Sequence, residues 1–550
     1  MKKGLSLALV LAMLTLLLPV LATAEEPAEY VTFTARNVSP GDSWDLAGTP
    51  VGDVFIEKTG VNIHMDFSVG DENQTIALMI AANDLPDIVF PHYQVAPFVE
   101  AGCALDLTAL IEEHAPAYKE ALGNQWDRMV WSAEDKSRYY MSMPEQYPEQ
   151  IDYFNWFFLQ HAVVMDQGYP KMETLEDYEN AIRAYMEKNP TIDGQPTIGL
   201  TLLADSWRWI LSLTNPAMMA CGTQSSGEYY VDPETMEVTY RILSGEEKEY
   251  FRWLNHMNAE GLLDPEAFTQ TYDQYRAKIA TGRVLATIDM GWQFADATQT
   301  LRQDGKEDRM FGTYPLVLHE GIVNSSLSGD RCLQTPGMEA LITTACEDPE
   351  TLMKAINYAY TEEGIILNNW GIEGVHYDVI DGKRVFREDE LKLRLEDPDY
   401  GEKTGIGLIP FPGYRDGVKD STGQYYTLSS KEDVIAKYTE TEKQVLSAYG
   451  KETWGEFFPP ATEFPIRMWP GEGGHTTDMD PESEGAIAFQ RIQDAVKKGI
   501  VNAIVADPAD FDAAWDAMVA DMENSGLQAF TDAIEQRNHD KLLLWGLIEE

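Results

Sequence analysis

From residue 30 onward, short β-rich runs alternate with amphipathic helical stretches, and this alternation restricts the fold more than any other feature of the sequence. Tyr30-Val31-Thr32-Phe33-Thr34 reads as a strand, residues 54–58 as a helix closed by Gly60, and residues 61–67 as a second strand with period-two alternation. The grammar then repeats. Residues 74–82 are helical, Asn83-Asp84 breaks the helix, and Pro86-Asp87-Ile88-Val89-Phe90 is a short apolar strand. Such succession implies an α/β fold with a mostly parallel sheet and helices on both faces. Helix signals recur late in the chain. Asp348 caps a helix with Pro349 at its first position and Gly364 beyond its end, and Phe511, Trp515, Met518, Val519 and Met522 form one apolar stripe that belongs in a core. No repeat of fixed period and no low-complexity linker interrupts the pattern, which disfavours solenoids and strung modules.

With 550 residues, 44% of them apolar, the chain can bury a large core as two to four units or as one interleaved pair of lobes. Its 91 acidic residues against 41 basic ones give a formal charge of −50, so nucleic acids and anionic lipid surfaces are excluded as partners. Lys2 and Lys3, an apolar run over residues 4–21 and Ala22-Thr23-Ala24 read as an export signal peptide cleaved after Ala24. An uncleaved anchor helix is the alternative. No Cys stands at the cleavage point, which argues against a lipid anchor, and no later segment is apolar enough to span a membrane. Cys103, Cys221, Cys332 and Cys346 lack any C-x-x-C spacing, so they are structural: buried thiols, or up to two disulfides with Cys332/Cys346 the favoured pair.

Catalytic motifs are missing where they would be expected. There is no G-x-S-x-G elbow, no H-E-x-x-H and no phosphate-binding loop, and Gly471-Glu472-Gly473-Gly474 reads as a flexible loop. The nine His are scattered, and Asp478-Met479-Asp480-Pro481-Glu482 is better read as Asp480 capping a helix with Pro481 at its first position than as a calcium loop. So many acidic residues guarantee paired carboxylates by chance, and a glycoside hydrolase therefore stays open as an alternative. The 13 Trp and 26 Tyr are more informative, because sugar rings pack C–H faces on aromatic rings while their hydroxyls require short polar partners. Three clusters have that composition: Asp205-Ser206-Trp207-Arg208-Trp209, Asp289-Met290-Gly291-Trp292-Gln293 and Asn368-Asn369-Trp370.

Ala81-Ala82-Asn83-Asp84-Leu85-Pro86-Asp87-Ile88-Val89, followed by Gly102-Cys103-Ala104-Leu105-Asp106-Leu107-Thr108, resembles the helix, strand and turn of family 1 extracellular solute-binding proteins of ABC importers. Further matches keep the family order: residues 169–177, Gly261-Leu262-Leu263-Asp264-Pro265-Glu266, the strand 284–292 and the C-terminal stretch 511–537. Gly371-Ile372-Glu373-Gly374-Val375-His376-Tyr377 is similar to a signature of the large LipO-type oligosaccharide binders of that family.

The resemblance implies a two-lobe, hinge-closing receptor of the periplasmic-binding-protein type rather than an enzyme. It implies lobe one at residues 25–145 plus 293–340 and lobe two at 146–292 plus 341–550, with crossings near Met143, Trp292 and Leu341. The expected cargo is an oligosaccharide or other small neutral solute, delivered to a membrane ABC permease by a monomeric receptor in the periplasm or at the cell surface. Cleft contacts are expected from Trp292, Trp207, Trp209, Asp289 and Trp370, and from His92, Tyr93 and Gln94 after the strand ending at Phe90. Glu373, His376 and Tyr377 are expected to build a structural turn. No cofactor or metal is expected: the loop Asn189-Pro190-Thr191-Ile192-Asp193-Gly194-Gln195, where some relatives hold calcium, offers too few carboxylates. A peptide receptor on the same fold is a remoter alternative.

Overall fold

The computed structural model describes residues 30–549 except 93, 145–150, 224–227, 233, 329–331, 334–339, 412, 414–416, 471–478 and 480–481. The expected signal peptide, Tyr93 and the expected loop at 471–474 therefore lie outside the described residues. Two sheets organise the molecule. The first contains strands β1 (Val31–Asn37), β2 (Trp44–Asp45), β3 (Val61–Phe67), β4 (Ile88–Phe90) and β9 (Leu341–Ile342), in the order β9-β4-β1-β3-β2. The second contains β5 (Asn155–Gln160), β6 (Ile198–Thr201), β7 (Val284–Met290) and β8 (Phe311–Thr313), in the order β8-β5-β7-β6.

Local signals in the first sheet behave as the alternation requires. β1 pairs in parallel with β3, Phe33 opposite Ile63, and with β4, Ala35 opposite Ile88. The helix Pro50–Thr59 starts where the Thr49 side chain accepts from the Gly52 N–H at 3.0 Å. It stops at Gly60, whose φ of 70° suits a residue without Cβ. The helix Glu72–Ala82 is capped by Asp71, which accepts from the Gln74 N–H at 2.9 Å, and closes on Asn83 at φ 51°. The second sheet is more mixed than the alternation suggests. β7 is parallel to β6, but β5 runs antiparallel to both β7 and β8. β5 arrives from the other lobe, so no β-α-β crossover dictates its direction.

Two hydrophobic cores define the lobes. One gathers Phe33, Ile63, Ile88, Trp126 and Met141 together with Ala340, Ile342, Leu352, Trp370, Tyr377 and Leu428. The other gathers Trp156, Phe157, Tyr178, Trp209, Ile288, Tyr314 and Leu327 with Leu446, Trp454, Ile492, Phe511 and Phe530, and Phe294, Leu301 and Phe311 form a satellite cluster with Phe158 of β5. Core membership thus differs from the expected lobe ranges. Residues 294–327 pack into the second lobe, because β8 pairs with β5; residues 340–428 pack into the first, because β9 pairs with β4. Core membership changes between Met141 and Tyr153, between Leu327 and Ala340 and between Leu428 and Val434, and Met290 and Phe294 on either side of Trp292 both pack with the second sheet.

Two expected caps shift. The helix Pro349–Ala359 ends at Tyr360, and Gly364 lies in the first turn of the next helix, Glu362–Trp370, where its missing Cβ lets it sit against the Tyr358 carbonyl. The helix Glu484–Val505 is capped by Ser483, three residues after Asp480, which is outside the described residues along with Pro481. The stripe on the helix Phe511–Asn524 is core: Phe511, Trp515, Met518 and Met522 are buried. Cys103, Cys221 and Cys346 are buried free thiols, and the side chain of Cys332, the other half of the favoured pair, lies outside the described residues. Among the described residues, no helix is long and apolar enough to cross a membrane.

Candidate functional site

The carboxyl ends of the parallel strands deliver the polar and aromatic groups of the site, as open α/β sheets do. β1 leads to Ser39, β4 to His92, β6 to the segment carrying Trp207 and Arg208, and β7 to Trp292 and Gln293. His92 and Ser206 hold φ values of 47° and 51°, in the left-handed region that side-chain-bearing residues seldom occupy. Such backbone strain accumulates where a side chain must be aimed.

Trp207 and Trp292 form an open aromatic platform on the second lobe. Their ring centroids are 6.3 Å apart with planes 29° from parallel, and they remain 43% and 54% exposed, unusual for the largest apolar side chain. The Arg208 guanidinium lies 4.9 Å from the Trp207 ring and 4.1 Å from that of Tyr272, and its Nε donates to Gln293 Oε1 at 3.2 Å. Tyr272 is fixed in turn: its hydroxyl donates to the Gln293 carbonyl at 2.7 Å and its N–H to Asp205 Oδ2 at 2.9 Å. From the first lobe, the His92 ring meets Trp207 edge-on at 6.5 Å. His92 Nδ1 is 2.9 Å from Glu72 Oε2, and Glu72 Oε1 accepts from Ser39 Oγ at 2.8 Å. The hydrogen bond from His92 is the largest influence holding the Glu72 carboxyl below its ordinary range; burial opposes it, while Ser39 and the charges of His92 and Arg208 reinforce it. A flat apolar platform edged by fixed donors and acceptors suits a ring-shaped ligand with apolar faces and polar rims.

The structure brings together Trp292, Trp207 and His92 and buries Trp209, Trp370 and Asp289. Trp209 is 4% exposed in the second core. Trp370 is 3% exposed in the first, packed 5.9 Å from Tyr377 and 5.3 Å from the Arg384 guanidinium. Asp289 is fully buried at the end of β7; Oδ1 accepts from the Met290 N–H at 2.8 Å, and burial, opposed by that bond and by Tyr275, pushes its pKa up to about 7. Gln94 follows His92 half-buried, and Tyr93 is outside the described residues. The 371–377 signature is a packed turn. His376 is buried and its Nδ1 accepts from the Ile372 N–H at 3.0 Å, while Glu373 bridges to Tyr377 within the turn. At the candidate calcium loop, Asp193 and Gly194 turn a two-residue hairpin, and Asp193 is 3.2 Å from Lys306 Nζ. No group of three or more His, Cys, Asp or Glu among the described residues is arranged to hold a metal ion.

Sequence reasoning missed Glu72, Ser39 and Tyr272 as cleft residues. Arg208 and Gln293 lay inside the aromatic clusters and could have been drawn from them. Glu72 carried no signal, since an acid in a first helical turn is satisfied by the helix dipole alone.

A family model described as bacterial extracellular solute-binding protein matches residues 52–363. No curated protein matches the chain. Solved structures share the fold at low identity. An alginate-binding protein, AlgQ2, without calcium ion is 15% identical, with 94% of this chain and 100% of that one covered at a TM-score of 0.61. A human-milk-oligosaccharide (HMO) binding, ABC-transporter-associated solute-binding protein from Bifidobacterium longum infantis is 14% identical, with coverage of 93% and 99% and a TM-score of 0.62. The S. pneumoniae ABC-transporter substrate-binding protein FusA, in complex with kestose, is 15% identical, with coverage of 92% and 99% and a TM-score of 0.64.

Proposed function

The chain belongs to the bacterial extracellular solute-binding protein family, and on that premise we propose that it captures an oligosaccharide between its lobes and hands it to the membrane permease of an ABC importer. The observation that carries this reading is the exposed Trp207–Trp292 platform with His92 facing it from the other lobe. Trp292, Trp207 and His92 are the proposed ligand contacts, with Gln94 beside His92 on the first-lobe side. Lobe one is proposed to comprise residues 30–144 and 340–428, and lobe two 151–328 and 434–549, following core membership. Ligand would favour the closed state through contacts available only when both walls meet it.

The similarity to proteins described as binding alginate, HMO and kestose supports a glycan cargo. The hydrolase alternative finds no support in a family of solute-binding proteins. Export with cleavage after Ala24, a monomeric state and membership of the LipO-type subgroup belong to the same proposal. A thermal-shift screen of residues 25–550 against neutral and acidic oligosaccharides tests it, because a ligand bound only by the folded state raises apparent stability. A melting point that rises saturably with one glycan class, without cleavage products, supports the receptor; products accumulating in proportion to protein overturn it.

A further inference from the structure

Two side chains of opposite charge frame the aromatic platform from opposite lobes. Glu72 stands at the first position of the helix Glu72–Ala82, with both carboxylate oxygens oriented by Ser39 and His92 and 25% of the side chain exposed. Arg208 stands across the cleft, clamped between the Trp207 and Tyr272 rings and pinned by Gln293. The contacts Glu72 to His92, His92 to Trp207 and Trp207 to Arg208 run unbroken from one lobe to the other. In a chain with 91 acidic residues a cation readily finds a carboxylate, yet among the described residues no carboxylate forms an ion pair with Arg208. Both groups are pre-oriented by neighbours rather than by each other, which leaves hydrogen-bonding edges for a third party.

We infer that Glu72 and Arg208 form a clamp that closes on the hydroxyls of a neutral sugar and sets the receptor's preference for neutral over carboxylate-bearing glycans. This rests on the oligosaccharide reading of the same cleft. The carboxylate accepts from sugar hydroxyls and the guanidinium donates to sugar oxygens, both as charge-assisted bonds. Groups of opposite charge thus face a neutral ring from the two sides of the platform. A uronate ring placed there brings a second negative charge beside Glu72 in a partly desolvated site, a repulsion that discriminates against it.

The test is calorimetric titration of residues 25–550 with neutral malto-, cello-, xylo- and fructo-oligosaccharides, and with oligogalacturonates and oligomannuronates of matched length. It is run on the wild type, Glu72→Gln, Arg208→Gln and the double variant, each checked for an unchanged melting curve without ligand. Arg208→Lys, which keeps the charge and loses the planar fork, replaces Arg208→Gln if that variant fails to fold. Wild type is expected to bind a neutral glycan about tenfold or more tighter than its uronate counterpart. Glu72→Gln should shrink that ratio at least about fivefold while weakening neutral binding, and the two single losses should be non-additive in the double variant, as for groups holding one ligand. A wild type that binds neutral glycan but whose preference is unmoved in Glu72→Gln overturns the clamp alone. A wild type that binds no glycan of either class overturns the oligosaccharide reading and the clamp with it.

Discussion

Trp292 keeps more than half of its surface in water at the carboxyl end of β7, while Trp209, in a cluster of the same composition, is sealed in the second core. The two should respond differently to truncation. Trp292→Ala is expected to weaken glycan binding about tenfold or more with little change in stability, whereas Trp209→Ala should cost about 3–5 kcal/mol of stability through its cavity. Equal binding by wild type and Trp292→Ala would remove the platform from the site. Composition could not separate these residues: Trp207 and Trp209 flank one Arg in a tight turn, and only the turn's geometry sends one ring to the cleft and the other inward. Asp289 is the buried counterpart. Its pKa stands raised from 3.8 to about 7 by burial, so the folded protein binds a proton that the unfolded chain releases. Its contribution to stability is therefore fully present below about pH 4 and is lost as pH rises through about 7. Asp289→Asn should flatten this component, and melting temperature should decline less over that window than in the wild type. Parallel pH profiles for the two proteins would contradict the assignment.

The helix ends of the first lobe were legible because their caps are local: Gly60 and Asn83 close their helices through their own backbone conformations. Gly364 was not, because a break of two residues at Tyr360-Thr361 separates two helices that read as one in the sequence. The direction of β5 was equally hidden, since strand orientation after a crossing between lobes depends on residues far away in the chain. The 371–377 turn can be tested as an element. Gly371 has φ 78° and ψ −137°, and a Cβ there would stand 2.5 Å from His376 Nδ1. Gly371→Ala is expected to destabilise by about 1–3 kcal/mol through strain and displacement of His376. Glycan affinity measured well below the melting point should be unchanged; a selective loss of affinity would show that the turn touches ligand.

At the scale of the molecule, core membership changes three times along the chain, and the segments 294–327 and 341–428 each pack with the core opposite to the one that the resemblance implies. Resemblance conveyed the two-lobe architecture, while lobe membership depends on which sheet each late strand joins, a long-range pairing that no local pattern announces. The charge of −50 dismisses nucleic-acid partners without naming a cargo. Glu72 and Arg208 refine that view, since groups of opposite charge flank the aromatic platform inside an acidic protein. The central claim is capture without chemistry. It is tested most directly by calorimetric titration of residues 25–550 with a panel of oligosaccharides and analysis of the recovered sugar: the account predicts saturable one-to-one binding and intact ligand, and either cleaved sugar in proportion to protein or no heat with any glycan would contradict it.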